Sequence, residues 1–478
     1  DAPTTQVLSV TATAPASTTS PGTPATIRAV TAASTDTTTS PNAADSADAA
    51  LGDAVVLTEA LERGDYAALA RVVGERVAPR VGGGAYATAL VDALGARGMV
   101  RVAAHLPVGG GGVTGRAGSG GSGTGSTGPG VPVACTWTSL LATATTSPLW
   151  TDDHREALAR DLASLVTVTG DVAEPDTLLL PLGFRRLLTA DQDPLTAAAG
   201  TQAPGAGDSQ APGAEDQAPG AGSGRSGSRD PLALDPKFLA ALTRGVMTGE
   251  TTGGSRVGWV EYARLTTTAG GGYSNFPEGT PREVRARYSS YDPLAAVLTA
   301  TARRPQTVLD VLAPPLPGAA LGPSPGEECQ FRRVLATRVD GSLWAWVAAR
   351  TQKAGPACLE ALTAAVASAS TLRYRPTTSQ PNPYEAQAAW LTEQATTALA
   401  GVDTTTWTPT ARRTTAVILA NSIGDIENTA SGIDYAGSNQ LFYLSLPASW
   451  SEHHNKELTA LLREALRDDT ALTILSKA

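Results

Sequence analysis

Two short runs bring together residue types that catalyse. In "DDHREALARD", Asp152, Asp153, His154 and Asp161 set an imidazole among three carboxylates, the pairing that general acid–base chemistry uses. In "WSEHHNKE", His453 and His454 stand between Glu452 and Glu457. Adjacent histidines on a helix point about 100° apart, so only His453 and Glu457, one turn apart, would share a metal-binding face. Both runs also have a simpler use, because acids in a first helical turn satisfy free amides and oppose the macrodipole. The simpler use is preferred in both places. "DQD" at Asp191 to Asp193 is similar to the metal-binding D-x-D of sugar transferases, but it borders a low-complexity loop and reads as a solvated turn.

Two further patterns fail on chemistry. "GPSPG", Gly322 to Gly326, matches the G-x-S-x-G of serine hydrolases. The residue after the nucleophile must donate its N–H to the oxyanion, and Pro325 has none, so Ser324 is not assigned as a nucleophile. None of the four lysines (237, 353, 456 and 477) follows a glycine, which excludes a standard phosphate-binding loop. The three cysteines, 135, 329 and 358, fit no zinc or redox spacing. Cys329 and Cys358 flank a segment that could fold back as a hairpin. A bridge there would add about 3 to 4 kcal/mol, and ordinary partly buried thiols are the alternative. No catalytic, cofactor-binding or metal-ligating residue is therefore assigned, and no cofactor is expected.

The strongest recurring local signal is punctuation. "DPL" occurs at Asp193, Asp230 and Asp292, "DPK" at Asp235 and "NPY" at Asn382. Asp or Asn accepts from first-turn amides, while proline at the first helical position has no N–H to lose. Asp292 is accordingly expected to cap a helix, because Leu294, Val297 and Leu298 follow with the spacing of a buried stripe. Pro305 should open the next helix.

The elements that would carry these residues are helical. Leu69, Val73 and Val77 recur at four-residue steps, and two or three short helices are expected over residues 53 to 106, one of them ended by the glycine of "ALGARG". Helices are also predicted at about 152 to 168, in "DPKFLAALTRGVMTGE", "LWAWVAARTQ" and "ACLEALTAAVASA", and along Tyr384, Ala388, Leu391, Ala395 and Leu399. "NKELTALLREALRDD" places Leu458, Leu461, Leu462, Ala465 and Leu466 on one face, and "PDTLLLPLGFRRLLT" adds an apolar segment. Strand signals are few, with "NQLFYLSLP" at 439 to 447 the best.

Between these lie segments of another kind. Residues 1 to 50 are rich in Thr, Ala, Ser and Pro and too poor in large apolar groups to offset ordering entropy, so disorder is expected there. A helical part at 51 to 107 is followed by a Gly-rich linker at 108 to 132, a second helical part at 133 to 200, and a low-complexity loop at 201 to 229. "QAPGAG"-type units begin at Gln202, Gln210 and Gln217, too short for solenoid repeats. A C-terminal helical domain fills 230 to 478. The expected fold is all-α: a multi-helical body with two low-complexity insertions and a disordered N-terminal segment.

Composition sets the limits. Apolar residues make up 42% but aromatics only 5%, so the core must be mainly Leu, Val and Ala. The Ala, Gly, Pro, Arg and Thr bias is what a GC-rich genome writes, and no function is read into it. A net charge of −9 with dispersed arginines argues against nucleic acid as a partner. No apolar run approaches the roughly 18 to 20 residues that cross a bilayer. A chain starting at Asp1 without a signal-like segment is read as a processed product or fragment.

"YSSYDPLAAVLTATARRPQTVLDVL", with "ARRTTAVILANSIGDIENTASG" at 411 to 432, resembles an uncharacterised actinobacterial helical family with a Tyr-Asp-Pro-Leu helix start. Its members look like components of secreted polymorphic-toxin-type proteins or proteins near type VII secretion loci. The motifs are structural, so the resemblance implies a helical fold and export, not catalytic residues. The function expected is a non-enzymatic helical scaffold or delivery module, exported and acting through protein partners. A hydrolase-type enzyme with an unrecognised site and a Thr/Pro-stalked surface adhesive protein are the alternatives.

Overall fold

The computed structural model describes residues 41–106, 133–166, 175–190, 230–251 except 231, 259–260, 263, 282–313, 343–373, 384–423, 426 and 455–477. Most of the expected disordered segment, both low-complexity insertions and the 439–447 strand lie outside the described residues. So do Asp191, Asp193, Ser324, Cys329, Asn382, Glu452, His453 and His454. The described residues form helices and no strand, as the patterning predicts. All of them belong to one compact unit that begins at Ser40.

The first layer starts earlier than expected. α1 spans Pro41–Glu62, so residues 41 to 50 are helical. The reason is that Ala50, Ala54, Leu57 and Leu61 form a stripe whose first turns extend back through small residues. Gly64, at φ 67°, ends the helix. Its N–H donates to Leu61 and that of Asp65 to Ala60, after which Asp65 caps α2 (Tyr66–Val72) through Ala68 N at 2.9 Å. A π turn (Val73–Val77) and a 3-10 turn (Ala78–Arg80) follow, and Leu69, Val73 and Val77 are all fully buried, as their spacing requires.

α3 (Gly84–His105) runs on past the glycine expected to end it. The break falls instead at Gly95, which takes φ 61° and ψ 177° in mid-helix, a conformation essentially confined to glycine. α4 (Val133–Thr146), α5 (Asp152–Val166) and α6 (Pro175–Thr189) complete the layer. α3 and α6 approach so closely that a β-carbon on Gly183 would lie 2.1 Å from the Val100 carbonyl oxygen. Arg186 then caps the α3 C-terminus, donating to Ala104 O at 2.7 Å and Leu106 O at 3.0 Å.

α7 (Pro236–Thr251) opens as predicted at Asp235, whose carboxylate accepts from Lys237 N and Phe238 N. Asp230 does not open a helix. It makes a tight turn through Leu232 N at 3.0 Å and pairs with Arg303 at 2.8 Å. After α8 (Arg282–Ala286) come α9 (Pro293–Thr301), α10 (Pro305–Leu312), α11 (Leu343–Lys353), α12 (Pro356–Ser370), α13 (Glu385–Ala400), α14 (Pro409–Ala420), α15 (Asn455–Ala465) and α16 (Asp469–Leu475).

Every residue of α9 is buried, because this helix stands between two cores. Ala296, Val297 and Ala300 pack into the core of α1 to α7, while Leu294, Ala295 and Leu298 pack into the core of α10 to α15. A break at residue 230 is therefore not a boundary in packing: α7 and one face of α9 complete the N-terminal core. A helix apolar on all sides can only be interior. Its two hydroxyl groups at Thr299 and Thr301 bond back to Ala295 O and Val297 O at 2.8 and 2.7 Å, so neither is left unsatisfied.

In the second core α12 and α14 share a polar seam. Thr408 donates to Glu360, Thr414 to Thr363 and Asn421 to Ser370, in rising register, so the two helices run parallel. Of the stripe predicted on α15, Leu458, Leu461 and Ala465 are buried, Leu462 is half-buried and Leu466, one residue beyond the helix, is exposed.

Candidate functional site

Asp292 is the N-cap expected of it, its Oδ1 accepting from Leu294 N at 2.9 Å. The structure adds a partner that spacing could not show. Arg350, on the buried face of α11, donates Nη1 and Nη2 to both carboxylate oxygens of Asp292 at 2.9 and 3.0 Å, and Nε and Nη2 to Glu250 at 2.8 and 3.0 Å. Every donor nitrogen of the guanidinium is used. The Cys358 thiol beside it is pushed up to about 12, first by burial and then by the charge of Asp292. Cys358 is a free, buried thiol 3.4 Å from Thr351 Oγ1, the ordinary thiol of the two alternatives and not a bridge to Cys329. This node ties α7, α9 and α11 together. With Arg350 and Asp292 buried and every guanidinium nitrogen bonded, it serves as a structural lock.

The run around His154 comes apart in space. Asp152 and Asp153 occupy the first turn of α5 as predicted, although Thr151 supplies the cap, accepting from His154 N at 3.3 Å. Asp152 pairs with Lys237 and Arg155, and Lys237 holds its carboxyl below the usual range. Asp161 is exposed, away from the imidazole. His154 turns instead to Asp92 on α3, with Nε2 2.9 Å from Oδ1, and stacks on Trp150 at 4.7 Å. Among the described residues no hydroxyl or thiol stands opposite its Nδ1, so an oriented imidazole is present without a nucleophile. Glu457 is half-buried near the start of α15.

The constellation with both preorganisation and open space is one that the motifs did not flag. An open groove of about 480 Å³ runs between the first turns of α1, at Asp45, Ser46 and Ala49, and the turn carrying Pro79, Arg80, Gly82 and Gly83, with Tyr86 of α3 at its end. Behind two of its lining residues, Arg80 and Tyr86, Asp53 is fully buried. Tyr86 donates its hydroxyl to Asp53 Oδ2 at 2.7 Å, Arg80 Nη1 reaches the same oxygen at 3.2 Å, and Arg76 Nη2 lies 2.6 Å from Oδ1. Burial, and then the hydrogen bond to Asp53, push the Tyr86 phenol above its ordinary value. The phenol is therefore a fixed donor. Arg80 also stands over the Tyr86 ring, 5.8 Å from its centre.

One signal could have found this site. Ala50, Asp53, Ala54 and Leu57 fall at helical spacing on one face of α1, which puts an acid on a buried stripe. Among the described residues no cluster of three or more His, Cys, Asp or Glu side chains could hold a metal ion, and no helix is long and apolar enough to cross a membrane. No family model matches the chain, and neither a curated protein nor a solved structure is significantly similar to it.

Proposed function

We propose that this chain is a non-enzymatic helical scaffold or delivery module that works by binding protein partners, and that a partner docks in the groove between α1 and the turn at 78–83. One observation carries the reading: a fully buried carboxylate, Asp53, spends its charge holding two half-exposed arginines beside that groove. Burying an ion pair costs desolvation that apolar packing would avoid, so its best-attested use is to fix position.

The reading is tested by placing a photo-crosslinking residue at Ser46, in the groove, or at Arg160, exposed on α5. Protein adducts are expected from position 46 alone. Gly82→Trp should abolish them, since no atom lies within 4 Å of where its side chain would begin. Identical adducts from both positions, or adducts indifferent to Gly82→Trp, would overturn it.

The resemblance to secreted actinobacterial proteins supports export of the module. Fractionation of the native protein is expected to find it in the culture supernatant or cell wall, and recovery from the cytosol alone would remove export. A hydrolase-type activity is the second reading, favoured by the contact of His154 with Asp92. It predicts hydrolysis of a chromogenic ester that His154→Gln abolishes.

A further inference from the structure

Resting on that reading, we infer that the groove selects an acidic side chain, Asp or Glu, in an extended segment of the partner, which Arg80 holds through a two-pronged contact. The guanidinium of Arg80 is used on one side only. Nη1 faces inward to Asp53 Oδ2 at 3.2 Å and the Arg76 carbonyl at 3.3 Å. Nε and Nη2, which lie along one edge of the planar group, have no bond among the described residues, and the side chain is 46% exposed. That edge is the one that meets a carboxylate with two parallel N–H···O bonds.

Its orientation is set from behind. Asp53 is fully buried and Tyr86 nearly so, and the Tyr86 ring underlies the guanidinium, so little freedom remains for binding to remove. The groove leaves room for an extended chain. Gly82 and Gly83, on the same turn as Arg80, carry no side chains, and Asp45 of α1 lines the opposite wall. Asp45 and Asp53 also balance Arg76 and Arg80, and the whole chain carries a net charge of −9. No positive field therefore attracts anions in general, and recognition depends on the geometry of the fork.

The test uses the full chain and a fluorescent hexapeptide, acetylated and amidated at its ends, with two central glutamates among Gly and Ser. A second peptide replaces both glutamates by glutamine. Fluorescence anisotropy is expected to show the glutamate peptide binding at least tenfold more tightly. Arg80→Gln should remove that preference, and Arg80→Lys, which keeps the charge but not the fork, should remove most of it. Circular dichroism melts identify any variant that fails to fold, in which case the Lys variant decides. Equal binding of the two peptides, no binding of either, or a preference that survives both substitutions would overturn the inference. Should crosslinking at Ser46 still capture a partner, the docking reading would stand without it.

Discussion

Arg350 grips Asp292 through two N–H···O bonds of 2.9 and 3.0 Å while Asp292 caps the interior helix α9 through Leu294 N. A local signal and a long-range ion pair thus meet in one carboxylate. The cap sets where α9 begins, and the guanidinium sets where that beginning sits relative to α7 and α11.

Removing the guanidinium leaves buried Asp292 and half-buried Glu250 without their cation. Arg350→Met is expected to destabilise the fold by about 3 to 5 kcal/mol. Asp292→Asn keeps an amide oxygen for the cap and Glu250 for the arginine, and should cost less. Urea denaturation of both variants checks the order, which a loss under about 1 kcal/mol for Arg350→Met would refute.

Two glycines should fail for opposite reasons. Gly183→Ala forces a β-carbon to within 2.1 Å of backbone at Val100, so α3 and α6 must separate, at a cost of about 3 kcal/mol or more. Gly95→Ala meets no atom within 4 Å, and its cost, about 1 to 3 kcal/mol, comes from the backbone conformation alone. Thermal melts measure both, and a fully stable Gly183→Ala would contradict the close approach.

Acid should act through Asp468, which caps α16 through Ala471 N and pairs with Arg413. Partial burial pushes its carboxyl up, but the bonds from Arg413 and the α16 amides outweigh this and hold it below the ordinary carboxylate range. A depressed folded-state value means the contribution is present above about pH 4 and disappears as pH falls through the lower, folded value. The stability difference between the wild type and Asp468→Asn should therefore shrink below pH 4. A constant difference down to pH 2 would contradict the assignment.

Thiol reactivity should follow burial. With its thiol pushed up to about 12, Cys358 is expected to resist alkylation at pH 8 until the protein unfolds, whereas half-buried Cys135 should react sooner. Mass spectrometry of time-resolved labelling distinguishes the two, and simultaneous labelling in the native state would reverse the order.

Much of the architecture was legible because it depends on near neighbours in the chain. The Asp-Pro starts at Asp235 and Asp292, the stripe of Leu69, Val73 and Val77, and the all-α class follow from capping chemistry and a 3.6-residue period. Asp230 misled for the same reason, since its carboxylate makes an equally local turn and the chain there continues to a second Asp-Pro before coiling. The candidate site was almost illegible. Asp53, Arg76, Arg80 and Tyr86 span 33 positions and no motif, and only an acid on an apolar face hinted at them.

What the sequence determined by itself was where helices begin and which faces turn inward, because capping bonds and periodicity operate over one or two turns. The tertiary structure alone decided that α9 lies between two cores, that His154 faces Asp92 and not its acidic neighbours, and that Arg350 serves two carboxylates. Such partners are chosen by which surfaces pack together, and a charge separated by 58 residues from its counter-ion leaves no trace in local spacing.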